Sequence, residues 1–375
     1  MDKVNKLKVL YEGRTVGTMA LYKNLLAAFE YSKEWIADGF SISPLSLPLE
    51  QKVFMPKADP FDGLFGVFAD SLPDGWGRLL VDRLMLKKKI NPLEIGNLNR
   101  LAIVANSGMG ALTYEPEYHF ELPIPDIELD RIAKECAVIL KTVDSDNLDE
   151  LFRLGGSSGG ARPKILTNIN GEEWIIKFAS SQDDSNIGEQ EYKYSLCARE
   201  CGIKMEETKL FPSKICAGYF GTRRFDRMQY KDKTVKKNHM ISVSGLLETS
   251  HRIPNLDYNI LMKLTMEMTR DYTQIEELYR RMCFNVYAHN RDDHSKNFSY
   301  LYDESSELWR LSPAYDLTYS SSIGGEHATT INGNGVDPGI KDLLAVADCV
   351  GMNRSKAKEI AQMVEVCVEK FKIRY

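Results

Sequence analysis

Alternating apolar and polar residues near the start of the chain predict a β-hairpin. Residues 7–11 and 15–21 alternate on either side of a turn that contains Gly13. Three further elements are predicted before a glycine-containing segment at 106–110, namely short strands at 29–31 and 41–49 and a helix over 76–88. We therefore expect residues 1–115 to form a small β-rich module with a few helices.

Elements of both types are predicted in the middle of the chain. Apolar residues recur at helical spacing over 126–141, and a glycine-rich segment occupies 154–164. The next predicted elements are β-like runs at 164–167 and 173–178, a helix over 188–201 and a strand pair within 209–227. Residues 116–245 are therefore predicted to be an α/β segment.

Helical periodicity dominates the last third of the chain. Most segments after about residue 260 are amphipathic, and two helices are predicted at 343–350 and 354–371, on either side of a turn at Gly351. Residues 246–375 are therefore expected to form a mostly helical lobe. Together the three segments predict an α+β protein.

The composition is typical of a folded chain with two or three domains. The 375 residues are 43% hydrophobic and 27% charged. The 48 basic and 53 acidic residues give a net charge of −5, so no overall positive field favours nucleic-acid binding. Apolar runs are too short to span a membrane, and the first six residues are not followed by a signal-peptide core. We expect a cytoplasmic protein.

Seven scattered cysteines do not fit a disulfide framework. Cys197 and Cys201 are four residues apart in a predicted helix and can face the same way. However, no second Cys or His pair stands at zinc-ligand spacing nearby. We therefore expect buried, reduced thiols.

The densest group of polar residues lies at 288–299, between a predicted amphipathic helix and a strand-like run. Arg291 and Asp292, followed by Asn297, reproduce the R-D-x-x-x-x-N spacing of a phosphoryl-transfer loop. In such a loop the aspartate accepts the hydroxyl proton and the asparagine holds a magnesium ion. Asp292 is therefore the candidate base, and Asn297 is a candidate metal ligand.

Phosphoryl transfer also needs a second metal-binding carboxylate, a phosphate-binding lysine and a flexible loop. Asp316 follows a predicted hairpin and can supply the carboxylate. Lys177 lies in an apolar strand, and Glu191 on the next helix is its candidate ion-pair partner. The glycines of 155–164 let backbone N–H groups approach an anion, although the segment is not a Walker loop. This order predicts a two-lobed, protein-kinase-like fold with ATP bound between the lobes.

Two other interpretations stay open. The ligand types of a two-metal hydrolase are present at His289, Asp292, Asp293, His294 and Asp316. Residues 343–364 have the helix, glycine turn and capped helix of a DNA-binding helix-turn-helix module. The hydrolase leaves Lys177 and the glycine-rich loop without a role, and the apolar residues of 343–364 would equally well pack a helical lobe.

The ordered motifs of the chain resemble the HipA-type serine/threonine kinases, which are toxins of bacterial toxin–antitoxin pairs. The opening hairpin and the segment FADSLPDGWG at 68–77 resemble the N-terminal module of that family. The motifs that resemble its kinase core are 157–164, Lys177, 224–227, 292–299 and 313–316.

This resemblance implies roles for individual residues. Asp292 would be the catalytic base, Asn297 and Asp316 the magnesium ligands, and Lys177 a phosphate contact, while His294 lies where the family has a histidine near the nucleotide. The implied ATP-binding residues are Gly159, Gly160, Ala161, Arg162, Pro163, Lys164, Lys177, Arg223, Arg224, Phe225, His294, Asn297, Tyr315 and Asp316. Among these, 223–225 would be the hinge that meets adenine.

The family's regulatory serine stands just before the glycine-rich loop, where this chain has Ser157, with Ser158 as the adjacent alternative. Phosphorylation there would add up to about two negative charges beside a loop that holds ATP phosphates, so repulsion would switch the enzyme off. Asp293 departs from family members that have a small residue at this position. We expect it to alter the substrate side of the cleft.

The resemblance further implies ATP and Mg²⁺ as cofactors and a protein substrate that presents serine or threonine. It also implies a helix-turn-helix antitoxin of the HipB type, through which alone the kinase would meet DNA. Known targets of the family lie in translation and include aminoacyl-tRNA synthetases. A small-molecule phosphotransferase of the aminoglycoside or choline kinase type uses a similar Asp-x4-Asn loop and is the nearest alternative enzyme.

Overall fold

The computed structural model describes residues 2–23, 25–118, 127–141, 147–229, 235–322 and 324–373. The first part of the chain is rich in strands, as predicted. Its elements are β1 (Lys6–Tyr11), β2 (Arg14–Tyr22), β3 (Leu26–Tyr31), α1 (Lys33–Asp38), β4 (Val53–Phe54), α2 (Gly66–Ala69), α3 (Gly75–Lys87), a 3₁₀ turn at Pro92–Glu94, α4 (Asn97–Val104) and β5 (Leu112–Glu115).

The opening hairpin closes through a two-residue turn. Glu12 and Gly13 have φ angles of 48° and 78°, and a type I′ turn needs such left-handed values at both positions. Gly13 adopts them without steric cost. β1 and β2 pair antiparallel within a five-stranded sheet of order β4-β3-β2-β1-β5. The predicted hairpin is confirmed.

The strand predicted at 41–49 is wrong. An isolated bridge between Ser43 and Leu47 is the only β-pairing described in that range. Pro44 and Pro48 interrupt it, and proline has no N–H to donate to a strand ladder. The alternation there belongs to a loop in which Ile42 and Leu47 are buried and Leu45 is exposed.

Strands and helices alternate in the middle of the chain. They are α5 (Leu129–Leu140), α6 (Leu148–Gly155), β6 (Lys164–Ile169), β7 (Glu172–Lys177), α7 (Ile187–Glu200), β8 (Thr208–Phe211), β9 (Tyr219–Arg223), β10 (Arg227–Gln229), β11 (Val235–Lys237), β12 (Met240–Ser242) and α8 (Val243–Leu246). These elements confirm the predicted helices and strands, although Asp126, where one predicted helix starts, lies outside the described residues.

The last part of the chain is mostly helical, as predicted. Its elements are β13 (Leu256–Asp257), α9 (Tyr258–Thr269), α10 (Tyr272–Tyr287), a 3₁₀ turn at Ser295–Asn297, β14 (Ser299–Asp303), β15 (Leu308–Leu311), β16 (Thr329–Thr330), α11 (Ile340–Cys349) and α12 (Arg354–Phe371). β14 and β15 form an antiparallel hairpin, and β13 pairs parallel with β16.

The chain divides into two units. Unit 1 contains Met1–Asn186 and Phe211–Thr249, and unit 2 contains Ile187–Leu210 and Ser250–Tyr375. Sheets and helices both contribute to unit 1, and helices dominate unit 2. The α+β class is therefore confirmed, and the finer division into three domains stays a prediction.

α3 anchors one core of unit 1. Its residues Trp76 and Leu80 are buried with Ile132 of α5, Leu151 of α6 and Ile165 of β6. Burial of a large apolar side chain contributes roughly 1.5–3 kcal/mol, so this cluster fixes α3 against the helices and strands that flank the glycine-rich segment.

A buried ionic network ties a loop of unit 1 to β10. Asp226 is completely buried, and its carboxylate accepts hydrogen bonds from Arg224, Arg227 and the N–H of Gly110 at 2.7–2.9 Å. Burial alone would raise the pKa of Asp226, but the two guanidinium groups outweigh it and lower this pKa to about 2. The carboxylate is therefore charged and fully paired inside the protein.

His239 is a second buried titratable residue in unit 1. Its Nε2 lies 2.9 Å from the carbonyl of Ile42, and its ring packs beside Tyr11 and Phe40. Burial lowers the pKa of His239 to about 4, although the hydrogen bond to Ile42 partly opposes this. The imidazole is therefore neutral in the folded protein at neutral pH.

The last two helices pack within unit 2. Leu343 and Val346 of α11 and Ile360 and Val364 of α12 are buried, and α12 lies against α10 and α11. These residues therefore form part of a helical core, which favours the packing interpretation of 343–364 over a DNA-binding module.

Within the described ranges, no helix combines the length and apolarity needed to cross a membrane.

We predict that Asp226→Asn lowers the free energy of unfolding by about 3–5 kcal/mol, because it leaves two buried guanidinium groups without their counter-charge. Urea unfolding followed by circular dichroism measures this. Asp348→Asn is the control, since it breaks an exposed pair with Arg354 and should change stability by less than about 1 kcal/mol. Equal effects of the two variants would contradict the role of Asp226.

We predict that the protein loses up to about 3 kcal/mol of stability as the pH falls from about 6.5 to 4 through His239 alone. The unfolded chain binds a proton there below the ordinary histidine pKa of about 6.5, whereas the folded chain does so only near pH 4. His239→Gln keeps an amide donor for Ile42 but cannot titrate. Urea unfolding across this range should show a smaller pH dependence in the variant, and an unchanged slope would refute the assignment.

Candidate active site

Helix α10 leads into the polar loop through a left-handed cap. The N–H of His289 donates to the Val286 carbonyl (3.3 Å), and the N–H of Asn290 donates to the Asn285 carbonyl (2.9 Å). His289 has a φ of 52°. These are the hydrogen bonds and the left-handed residue of a Schellman motif. The motif ends the helix and places residues 290–297 in the loop that follows.

Asp293 anchors this loop. The residue is only 1% exposed, so its oxygens need partners inside the protein. Its carboxylate lies 3.1 Å from the Tyr258 hydroxyl, 3.0 Å from His327 Nδ1 and 3.1 Å from the N–H of Thr329, and its carbonyl accepts the Thr329 hydroxyl at 2.5 Å. Because Thr329 lies in β16, the loop is fixed to that strand.

A chain of hydrogen bonds continues from Asp293 to the end of α10. Asn285 Nδ2 donates to the Tyr258 hydroxyl (2.9 Å), and Asn290 Nδ2 donates to Asn285 Oδ1 (3.0 Å). Burial, followed by the negative charge of Asp293, raises the pKa of Tyr258 well above its usual value. The tyrosine therefore stays protonated and donates to the carboxylate.

Asp292 and Asp293 face opposite sides of the loop. The Asp292 side chain is 63% exposed, whereas that of Asp293 is directed into the protein. The expectation that Asp293 alters the substrate side of the cleft is therefore wrong, because its carboxylate is already held by buried partners. Its burial instead leaves Asp292 at the surface.

The structure brings Asp292, His294 and Asn297 together in one turn. His294 Nε2 lies 3.8 Å from Asp292 Oδ1, and Asn297 Nδ2 donates to the Asp292 carbonyl (2.7 Å). The N–H of Asn297 donates to the His294 carbonyl (2.9 Å) within the short 3₁₀ turn. The candidate base and a candidate metal ligand therefore share a rigid local frame.

Tyr315 connects Asp316 to the same turn. Its hydroxyl donates to the Lys296 carbonyl (2.8 Å) and lies 2.6 Å from the Ser299 hydroxyl. Asp316 follows with a φ of 52°, a left-handed value that aspartate tolerates better than most residues. Tyr315, the neighbour of Asp316 in the chain, is thus tied to the segment that carries Asn297, and the meeting of Asp316 with Asn297 stays a prediction.

In unit 1 the glycine-rich segment is tied to the start of α3. The backbone N–H of Trp76 donates to the Gly160 carbonyl (2.9 Å), and its indole N–H donates to the Lys164 carbonyl (3.1 Å). The Asp74 carboxylate accepts the N–H of Gly160. The Asp74 carboxylate therefore accepts the hydrogen bond of one of the loop N–H groups that were predicted to contact phosphate.

Lys164 and Lys177 are direct cross-strand neighbours in the β6–β7 pair. Lys164 is buried at 7% exposure, and Lys177 Nζ lies 5.6 Å from the centre of the Phe220 ring. Arg162, another candidate ATP contact, instead makes two hydrogen bonds of 2.9 and 3.0 Å to Asp183. The positive groups predicted for phosphate thus concentrate at the start of β6 and the end of β7.

The predicted hinge follows β9, which pairs with β7. Arg223 forms an ion pair with Glu172 (2.9 Å), and the N–H of Arg224 donates to the Glu173 carbonyl (2.8 Å). Residues 223–225 therefore continue beside the strand that ends in Lys177. Their proposed contact with adenine stays a prediction.

The two candidate phosphorylation sites differ in accessibility. Ser158 is buried, and its hydroxyl donates to the Gly155 carbonyl (2.6 Å). Ser157 is only partly buried. A phosphate can therefore be added to Ser157 with less disruption of the local structure.

The described residues do not bring together the ligands of the two-metal hydrolase. The only group of three His, Cys, Asp or Glu side chains at metal-binding distances within those residues consists of cysteines. Asp293, one of the suggested ligands, is held by Tyr258, His327 and Thr329.

Glu191 is buried in α7, and its pairing with Lys177 stays a prediction.

Sequence reasoning missed the residues that hold the loop. Tyr258, Asn285, His327 and Thr329 come from α9, α10 and the approach to β16, so no local spacing links them. Nothing in the sequence marks them as partners of Asp293, because their roles depend on the tertiary structure.

Comparison with known proteins identifies relatives over most of the chain. It is 25% identical over 348 residues to "Putative kinase Y4dM" and 26% identical over 345 residues to "Putative kinase Y4mE", both of Sinorhizobium fredii. These alignments cover 88% and 84% of this chain and 81% and 77% of the two relatives.

The fold also matches that of a solved structure. HipA of Shewanella oneidensis MR-1, in its complex with HipB and operator DNA, is 18% identical with a TM-score of 0.70, over 98% of this chain and 91% of that one. A family model of the HipA N-terminal domain matches residues 7–115, and a model of the HipA-like C-terminal domain matches residues 156–371. With both domains matched in the order of the motifs, the chain belongs to the HipA family.

Proposed function

We propose that this protein is an ATP- and Mg²⁺-dependent serine/threonine protein kinase that acts as a HipA-like toxin. The observation that carries the proposal is the loop of unit 2, in which buried Asp293 fixes the backbone and exposed Asp292 remains accessible. A general base must be both accessible to the substrate hydroxyl and held in position. Asp292 meets both conditions.

Asn297 and Asp316 fit the requirements of a magnesium site. Mg²⁺ prefers hard oxygen ligands, and these residues offer an amide oxygen and a carboxylate. Because Asn297 Nδ2 donates to the Asp292 carbonyl, its amide oxygen is directed elsewhere and is oriented by that hydrogen bond. When bound, Mg²⁺ would neutralise charge on the phosphates of ATP.

Lys164 and Lys177 support an anion site in unit 1. The strand register places the two lysines directly opposite each other, so a bound phosphate could interact with both ammonium groups. The N–H groups of the glycine-rich loop could contribute, provided that the Asp74 carboxylate leaves Gly160. We propose that these groups bind the phosphates of ATP.

We propose that the kinase phosphorylates Ser157, just before the glycine-rich loop, and that this modification inhibits it. Ser157 is favoured over Ser158, because Ser158 is buried and its hydroxyl is already used. A phosphate of about −2 charge beside the glycine-rich loop would compete with the phosphates of ATP for the same positive groups.

The partners follow from the family. The HipA of Shewanella oneidensis was solved with HipB and operator DNA, which supports a helix-turn-helix antitoxin as partner of this chain and an indirect association with DNA. We propose a protein substrate in the cytoplasm that presents serine or threonine, with an aminoacyl-tRNA synthetase as the first candidate.

We predict that Asp292→Asn reduces phosphoryl transfer by about 10²- to 10⁴-fold, the usual contribution of a general base. Purified protein would be incubated with Mg²⁺ and γ-labelled ATP, with and without bacterial proteins, and acid-precipitable label counted. Because Asp292 is exposed, stability should change by no more than about 0.5 kcal/mol. Glu304→Gln, an exposed change in the β14–β15 turn, should retain full activity.

Full activity of Asp292→Asn would disprove its role as the base. Label that enters only small metabolites, and never protein, would instead favour a small-molecule phosphotransferase.

We predict that mass spectrometry of the 154–164 region after incubation with Mg²⁺ and ATP finds phosphate on Ser157. Ser157→Ala should remove the modification and prolong activity toward protein, whereas Ser158→Ala should leave the phosphate in place. Phosphate on Ser158 alone, or on neither serine in an otherwise active kinase, would contradict the proposed regulation.

A further inference from the structure

Three cysteine side chains meet in the interior of unit 2. Cys197 lies on α7, and Cys201 directly follows this helix, with its N–H donating to the Cys197 carbonyl (2.9 Å). The two residues are thus one helical turn apart on the same side, and Cys367 comes from α12. All three are buried, and their sulfur atoms lie within 4.8 Å of one another. Cys367 Sγ is also 3.8 Å from the Cys197 carbonyl. We call these residues the cysteine triad.

The triad differs from the other buried cysteines. All seven cysteines of the chain are free thiols, as expected, but Cys349 is exposed and Cys216 only partly buried, so the expected burial is wrong for these two. Cys136 and Cys283 are buried, but within the described residues they belong to no group of this kind. Core packing requires no such grouping of sulfur atoms from two helices. The sequence showed only Cys197 and Cys201 as a pair, because the third sulfur comes from a helix far along the chain.

We propose that the cysteine triad binds a soft metal ion through three sulfur ligands, with Cu(I) as the ion that fits best. Soft thiolate ligands favour Cu(I), Zn²⁺ and iron–sulfur clusters over hard cations. Structural zinc sites almost always have four ligands, and within the described residues no histidine, carboxylate or fourth cysteine completes the triad. Burial also restricts access of water as a fourth ligand.

Binding requires loss of thiol protons but no electron transfer. A coordinated cysteine is a thiolate, so each thiol that binds releases its proton to the buffer while copper remains Cu(I). Since protons compete with the metal ion for the thiolates, affinity should increase with pH.

A bound ion would join α7 to α12. The Tyr194 hydroxyl of α7 already contacts the segment that follows α12, since it lies 2.6 Å from the Ile373 carbonyl. The Glu200–Lys370 ion pair is exposed and adds little. A ligand that binds only the folded state raises its stability in proportion to ligand occupancy, so the ion should protect unit 2 against unfolding. The metal site does not depend on the proposed kinase activity.

The experiment is a Cu(I) titration of the reduced, full-length protein under nitrogen, against a chromogenic chelator that competes for Cu(I). We expect one ion per chain and a higher melting temperature. Cys367→Ala should weaken binding by more than about 100-fold, since loss of outer-shell partners alone costs about 10- to 100-fold. Cys283→Ala, which removes a single buried thiol of α10, should bind like the wild type.

Equal Cu(I) affinity of Cys367→Ala and Cys283→Ala would overturn the proposal, as would Zn²⁺ binding that Cu(I) fails to displace. If Cys367→Ala does not fold, X-ray absorption of the Cu(I)-loaded wild type provides the test. Three sulfur neighbours around copper support the triad, and nitrogen or oxygen neighbours, or fewer sulfurs, contradict it.

Discussion

A carboxylate removed from water must find enough partners to balance its charge, and each unit is organised around one such group. In unit 1, Asp226 gathers two arginines and the N–H of Gly110, and so joins a loop of the β-rich part to the start of β10. In unit 2, Asp293 gathers Tyr258, His327 and Thr329 around an irregular loop. In both places the hydrogen bonds to a buried carboxylate fix an irregular segment of backbone, which lacks the regular backbone hydrogen bonds of a helix or a strand.

The chemistry proposed for Asp292 follows from the burial of its neighbour. A carboxylate on a flexible loop would sample many positions, and only a fraction of them would suit proton transfer. Three features restrict the backbone around Asp292. They are the Schellman motif at the end of α10, the hydrogen bonds of the buried Asp293 side chain and the hydrogen bond from the Asn297 amide. The backbone therefore holds Asp292 in position while its side chain stays 63% exposed, which leaves the carboxylate accessible to a hydroxyl.

Local patterns predicted much of the fold but little of what orders the site. The hairpin, α3 and α7 were predictable because alternation, turn glycines and helical spacing act over a few residues. The prediction of a strand at 41–49 was wrong because two prolines there prevent strand pairing despite the alternating pattern. The predicted spacing from Asp292 to Asn297 corresponds in the structure to one turn that contains both residues. The burial of the Asp293 side chain, in contrast, depends on tertiary contacts with α9 and β16 and on the end of α10. The third cysteine of the triad could not be predicted either, because its contact with Cys197 and Cys201 also depends on the tertiary structure.

Tyr194 has a consequence for how unit 2 responds to strain. Its hydroxyl lies 2.9 Å from the carbonyl of Ala288 and 2.6 Å from that of Ile373, but it has a single proton to donate. The two acceptors therefore compete, and a shift of the chain at Ile373 would redistribute that proton toward or away from Ala288. Since Ala288 is the last residue before the cap that begins the loop with Asp292, the Tyr194 hydroxyl joins the chain at Ile373 to the start of that loop.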